Sequence, residues 1–430
     1  MTAGNLSVLR DRRVLALFSA RSLSLLGNAM APVAIAFAVL DSPGGSATSL
    51  GLVLAARLVT QVVFLLYGGI VADRFPRHRI MIVAELAAAA AQGTIAVLFI
   101  TQRASLALVA LLATVNGMAT ALFEPASRAV LPQLVTGDKL QAANALLRFS
   151  MNTGSIVGAS LAGILVATIG PGPTLAVDAA TFLVSAILLM FVRVPAVLTP
   201  SGASLVTQLR EGWREFTSTQ WVWAMVAQLA IANICVAGGF VVLGPVVAKA
   251  HLGGAPAWGA ILTAQAVGFI MGSVTAMKLR PRYPVRAAAL FTIGFTPPFF
   301  ALAVPTHLII IGAAMFVTGM CIDIYEVLFE TAIQHHVPPE SLSRVMSYES
   351  TGTFLFIPLG LAIAGPIADL AGVGPTLVGG GVVIIASALL VLMLPSVRGA
   401  RRPDAEPDDG AEPDAVPDQP ALNPQPSGGA

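Results

Sequence analysis

The sequence predicts an all-α membrane protein of twelve spanning helices arranged as two six-helix halves. Three observations predict it. Hydrophobic residues make up 56% of the 430-residue chain and charged residues only 11%, with a mean hydropathy of +0.83. A water-soluble fold of this size needs far more charge to cover its surface. Apolar runs of the roughly 20 residues that cross a hydrocarbon core can be placed twelve times along the chain. The second half of the sequence also repeats part of the first.

The runs fall at 14–40, 49–71, 80–101, 105–124, 142–169, 173–192, 221–248, 257–277, 287–304, 307–329, 346–370 and 374–395. Arg10, Arg12 and Arg13 precede a first run too long for a cleaved signal, so it reads as a membrane helix. A short charged turn, Gly68 to Arg79, joins the second and third runs. Of the 24 basic residues, only Arg103 and Lys249 fall in the odd-numbered connections, and Arg21 and Arg57 lie within helices. All the others sit at the ends or in the even-numbered connections. By the positive-inside rule that side is cytoplasmic, with both termini on it, in a plasma or inner membrane. The basic residues are spread over many loops, so no nucleic-acid partner is expected. Cys235 and Cys321 lie in apolar runs and read as free, packed thiols.

The longest polar connection, 193–220, divides the runs six and six. Its Leu205, Leu209, Trp213 and Phe216 share a helical face, as in a helix lying along the interface. The domains expected are therefore 1–192, a cytoplasmic connection at 193–220, 221–398, and a Pro- and acid-rich tail at 399–430 predicted to be disordered. Residues 123–175 align without a gap on 325–377, an offset of 202 residues. Glu124 falls on Glu326, Gly158 on Gly360 and Gly163 on Gly365. The match ends with Gly170, Gly172, Pro173 and Thr174 on Gly372, Gly374, Pro375 and Thr376. A shift of six helices preserves orientation, so the duplication is parallel.

The segment Gly69 to Arg79 resembles motif A of the major facilitator superfamily, with Pro76 where that signature has glycine. Ser22 to Asn28, Phe123-Glu124-Pro125-Ala126, Ala143-Asn144-Ala145-Leu146 and Asp178 to Leu183 resemble its drug-exporter branch, which includes macrolide-efflux and enterobactin-exporter proteins. The resemblance implies that Gly68, Gly69, Asp73, Arg74, Arg77 and Arg79 gate the cytoplasmic side. The plainer reading is a topogenic loop. Gly154 to Gly163 is similar to the glycine-rich antiporter segment, with Ala159 where that segment has proline. Asn28 stands where related exporters often carry an acid.

Arg57 lies near the middle of the second run, where a lone arginine costs about 2.5–3.5 kcal/mol. It must meet a cavity or a partner, and Asp178 and Gln61 are the candidates. Asn28, Gln61, Asn116, Asn152, Asn233 and Gln265 also lie well inside their runs, either lining a substrate cavity with Arg57 or bonding helix to helix. The candidates for proton coupling are Arg21 with Glu124, Asp178, and Asp323 with Glu326, the last two sharing a helical face with Glu330. Glu85 is expected to pair with the motif A arginines. His335 and His336 are adjacent loop residues without metal-ligand spacing, so neither a metal nor a cofactor is expected.

These features predict a monomeric secondary transporter, not an enzyme: no P-loop and no catalytic triad occurs. The resemblance implies export of a small amphipathic compound, coupled to protons. Uptake of a metabolite or siderophore, or a carrier-like protein that senses without transporting, are the alternatives.

Overall fold

The computed structural model describes the backbone of residues 11–74, 76–135, 138–192, 213–214, 216–304, 307–337 and 339–401. Within those stretches the side chains of 66–74, 128–129, 132, 138–142, 144–145, 148–149, 152, 155, 339–341 and 343–344 lie outside the described residues. Helices are numbered here by membrane crossing. The first half contains α1 (Arg12–Asp41), α2 (Ala47–Arg74), α3 (Arg77–Ile100), α4 (Leu106–Leu134), α5 (Asp138–Ile169) and α6 (Pro171–Leu189). The second contains α7 (Gln220–His251), α8 (Ala255–Ala276), α9 (Pro284–Ala303), α10 (Leu308–His336), α11 (Pro339–Phe354 and Ile357–Ala371) and α12 (Val373–Leu392). A short α13 (Pro395–Gly399) follows. Eleven of the twelve crossings meet the length and hydropathy of a spanning helix among the described residues. The twelfth, α5, has 32 residues, about 48 Å at 1.5 Å per residue.

Local chemistry sets the boundaries. Asp11 accepts from the amide of Arg13 at the start of α1, and Ser105 accepts from the amide of Leu108 at the start of α4. Both satisfy orphan donors of a first turn. Gly170 and Gly372 open α6 and α12 with φ of 90° and 88°, a left-handed geometry that favours glycine. The two α10-like helices of the halves run past their expected ends. α4 reaches Leu134 and α10 reaches His336, so Gln334, His335 and His336 complete a helix and do not form a loop. Hydropathy marks where lipid stops, and a helix continues beyond that point while its residues still favour helix.

Three crossings are broken. α7 contains a π-helical stretch, Ala237–Leu243, around Gly238 and Gly239. α9 tightens to a 3₁₀ turn at Thr292–Phe295 before Pro297 and Pro298. α11 breaks at residues 355–356 ahead of Pro358, whose ring clashes with the carbonyl four residues back and which has no N–H to donate. Outward faces are apolar and exposed, as at Ile309 (83%) and Leu370 (91%), the surface a bilayer covers. Of the expected interfacial face, Trp213 and Phe216 are described: Trp213 meets Tyr348 edge-on at a centroid distance of 5.7 Å, and Phe216 stacks with it at 5.9 Å. Leu205, Leu209 and most of the tail lie outside the described residues.

The repeat is visible as packing. A Cβ on Gly117 of α4 would meet the carbonyl of Arg57 at 2.0 Å and the amide of Gln61 at 3.2 Å. A Cβ on Gly319 of α10 would meet the carbonyl of Gln265 at 2.2 Å and the amide of Phe269 at 3.2 Å. The equivalent positions are 202 residues apart in α4 and α10 but 208 apart in α2 and α8. That change of offset is why a gapless comparison at 202 residues does not reach α2.

Candidate functional site

The polar groups of the first half converge in its interior. Arg21 of α1 is 3.5 Å from Glu124 of α4, and its Nη1 donates to Ser127 Oγ at 2.6 Å. This ion pair matches the sequence expectation of proximity. It helps line a small cavity together with Ser24, Asn28 and Glu85. Deeper along α1, Asn28 Oδ1 accepts from Arg57 Nη2 of α2 at 3.1 Å. Asp178 of α6 lies fully buried within electrostatic reach of Arg57 and of Glu85, without a hydrogen bond to either. The expected Arg57–Asp178 neighbourhood is thus present, although the contact of Arg57 is to Asn28. Gln61 is half-buried one turn along α2.

Other candidates separate. Asn116 is not a cavity residue: it is 2% exposed, and its Nδ2 donates to the fully buried Gln92 Oε1 at 2.8 Å, joining α4 to α3. Asn233 ties α7 to α11 through the Thr353 carbonyl at 3.1 Å. Gln265 stays half-buried at the position equivalent to Arg57. Asn152 lies in α5 with its side chain outside the described residues, as do the side chains of Gly68, Gly69, Asp73 and Arg74 in α2. Of the motif A set, Arg77 is half-buried and Arg79 exposed at the start of α3. Glu85 pairs with neither Arg77 nor Arg79. It is 3% exposed, turned into the half, and neither of its carboxylate oxygens has a hydrogen-bond partner.

In the second half, Asp323 accepts from Ser273 Oγ at 2.6 Å and lies near Glu326, with Glu330 and Glu349 close enough to act on Glu326 electrostatically. Glu349 comes from α11, so the carboxylate group of α10 has a member that helical spacing could not reveal.

The halves meet at the end opposite the termini. Lys249 of α7 forms a 2.6 Å ion pair with Asp41 of α1 and donates to the Leu40 carbonyl at 2.5 Å. Thr48 of α2 donates to Asp369 of α11 at 2.7 Å, and Ser160 of α5 and Thr263 of α8 are 2.6 Å apart. Glycines let the backbones touch: a Cβ on Gly365 would lie 2.3 Å from the Thr48 backbone, and one on Gly163 2.9 Å from the Ala255 carbonyl.

Two packed six-helix halves with a polar interior invite comparison with known carriers, and the sequence profile of the Major Facilitator Superfamily matches residues 17–360. The chain belongs to the Major Facilitator Superfamily. Among relatives of this superfamily member, the multidrug efflux pump Tap of Mycolicibacterium fortuitum is 26% identical over 387 residues, covering 86% of this chain and 93% of that one. Macrolide efflux protein A of Streptococcus pyogenes is 23% identical over 390 residues, covering 89% and 96%. In solved structures, a point mutant of the nucleoside transporter NupG superposes with a TM-score of 0.75 at 12% identity, over 89% of this chain and all of that one. That likeness concerns the fold. As a superfamily transporter the chain is a multi-pass membrane protein for small molecules. Sequence reasoning missed Gln92, Glu349 and the pairs Lys249–Asp41 and Thr48–Asp369. The one available signal was that Lys249 is a rare basic residue on its side of the membrane.

Proposed function

We propose that the chain exports a small amphipathic compound across the plasma or inner membrane by alternating access, driven by the proton gradient, as a monomer with its basic face in the cytoplasm. Support for export comes from the likeness to the efflux proteins Tap and macrolide efflux protein A, each aligned over most of both chains. The observation that carries alternating access is the closure of the two halves at the end away from the basic face by Lys249–Asp41, Thr48–Asp369 and Ser160–Thr263. With the basic face cytoplasmic, this conformation is closed outside. Arg57, Asn28, Gln61, Asn233 and Gln265 supply polar contacts for the compound. Asp73 and Arg74, with Arg77 and Arg79, hold the basic face shut in the opposite conformation. Arg21, Glu124, Asp178, Asp323 and Glu326 are the ionisable groups available for coupling.

The test is efflux of ethidium and of a labelled macrolide from cells making wild type or Asp73→Asn, with and without a protonophore. Export predicts faster loss of at least one dye than in empty-vector cells, abolished by the protonophore and by Asp73→Asn. Dye accumulation above the empty-vector level instead indicates uptake. No difference for any compound in either direction indicates a carrier-like protein that does not transport them.

A further inference from the structure

Five ionisable side chains from five helices face the interior of the first half: Arg21 of α1, Arg57 of α2, Glu85 of α3, Glu124 of α4 and Asp178 of α6. α5 contributes none among the described residues. Arg21 is matched by Glu124 at 3.5 Å. Arg57 is left to Asp178, which lies within electrostatic reach of it and of a further carboxylate, Glu85. Asp178 is 0% and Glu85 3% exposed, and none of their four oxygens accepts a hydrogen bond. The hydroxyls of Ser24 and Ser185 lie beside Glu85, and the amide of Gln92 beside Asp178. These neighbours are neutral. An ionised carboxylate taken out of water without a cation or a set of donors is strongly disfavoured, and two of them side by side more so. Fully ionised, the set carries one negative charge too many, and a single proton removes it.

Geometry gives that proton a route and a consequence. Glu85 lines the small cavity beside Arg21, Ser24 and Asn28, whereas Asp178 sits behind it against α1. Gly27 makes this approach possible, since a Cβ there would fall 2.4 Å from Asp178 Oδ1. We propose that Glu85 and Asp178 form a carboxylate pair that binds one exchangeable proton, taken up at Glu85 from the cavity and shared with Asp178 beside Arg57. This deepens the proton-driven reading above and rests on it for its role in transport. When the proton leaves, the second negative charge draws the guanidinium of Arg57 from Asn28 towards Asp178. The proton state is thereby linked to a polar contact at the level of the proposed substrate site. No covalent bond other than the carboxyl O–H forms or breaks. Two coupled acids release their proton as a pair, not as two independent sites.

The experiment counts protons. Purified wild type, Glu85→Gln, Asp178→Asn and the double variant in nanodiscs are titrated, with the protonated-carboxyl stretch followed by infrared difference spectroscopy. Each single variant leaves two carboxylates for the two arginines of the set, a neutral sum that needs no proton. The expected result is one proton fewer per protein in either single variant, and again one fewer, not two, in the double variant. No loss in the single variants, or a loss of two in the double one, overturns the proposal. Both substitutions are nearly isosteric, and an unchanged circular dichroism spectrum with a single symmetric size-exclusion peak checks that each variant is folded. Efflux separates the two readings. Protonophore-sensitive wild-type efflux with unchanged proton counts in the variants sinks the pair and leaves the proton-driven reading standing. The expected counts with protonophore-insensitive efflux sustain the pair and sink that reading.

Discussion

Gly365→Ala adds one methyl group where α11 meets α2, and its effect follows from distances. The new Cβ would lie 2.3 Å from Thr48 Cα and N, against the 3.4–4 Å of ordinary contact, so the helices must part by at least about 1 Å. Both atoms it meets are backbone, which no side-chain rotation can relieve. Overpacking of this kind costs about 1–3 kcal/mol. Alanine also favours helix over glycine by about 1 kcal/mol, but that gain applies whether the halves are together or apart and cancels in the equilibrium between them. The closed arrangement should therefore lose population roughly 5- to 150-fold relative to the arrangement open at that end. Gly163→Ala, whose Cβ would stand 2.9 Å from the Ala255 carbonyl, should act in the same direction and less strongly. Gly379→Ala, with nothing within 4 Å of its Cβ, is the control and should change nothing. Spin labels at Arg103 and His307, both exposed at that end, on a background with Cys235 and Cys321 replaced by alanine, would report the distance distribution between the halves. The order Gly365→Ala, Gly163→Ala, Gly379→Ala in growth of the long-distance population is expected. Identical distributions in all three would refute the claim that these glycine crossings hold the end shut.

Asn116→Ala leaves Gln92 Oε1 without its donor and should cost about 1–3 kcal/mol in denaturant unfolding, whereas Asn116→Leu with Gln92→Met should cost less than the single change. A double variant as unstable as the two single losses combined would show that the pair does more than satisfy itself. Lys249→Ala removes a pair whose side chains are 41% and 49% exposed, so the shift in closure should stay within about 0–1 kcal/mol and shrink with salt. A double-mutant cycle with Asp41→Ala measures it, and a coupling well above that range would mean the pair is shielded from solvent. Glu124→Gln uncouples Arg21, which is 7% exposed beside a 30% exposed carboxylate. Its loss of thermal stability should exceed that of Lys249→Ala but stay below the roughly 3–5 kcal/mol of a fully buried pair; equal losses would contradict the difference in burial.

Depth in the membrane was legible in the sequence because lipid imposes it residue by residue. Twelve runs, the basic face and the shared depth of Arg21 and Glu124 all followed from hydropathy and charge. Direction around a helix axis was not legible, because with apolar surroundings on every side a polar residue gives no amphipathic pattern to read. Asn116 and Asn28 looked alike as central asparagines, yet one is sealed against Gln92 and the other meets Arg57. Glu85 was assigned to the nearest arginines in sequence, while α3 turns it away from them into the half. The contacts between halves were beyond reach for a different reason. Lys249 and Asp41 are 208 residues apart, and only the superposition of the two halves makes them neighbours.

That superposition also shows where the halves have diverged. Gly27 of α1 receives Asp178 of α6, and at the equivalent place in the second half Gly380 of α12 faces Cys235 of α7, with the position of its Cβ 3.7 Å from the cysteine Cβ. The small residue has changed helix, and the acid has gone. Arg57 is likewise replaced by Gln265, while the glycine that packs on it, Gly117, is kept as Gly319. Of the charged set in the first half, Glu124 keeps an acidic counterpart in the aligned repeat, Glu326. Backbone packing has therefore been held constant while the buried arginine and aspartate at these two positions were kept in the first half only. A carrier in which both halves rock against each other needs matching shapes, but a single coupling ion needs only one binding place. Opposite charges at the Arg57 and Asp178 positions, absent from their counterparts in an otherwise matching backbone, are what the proposed proton site in the first half requires.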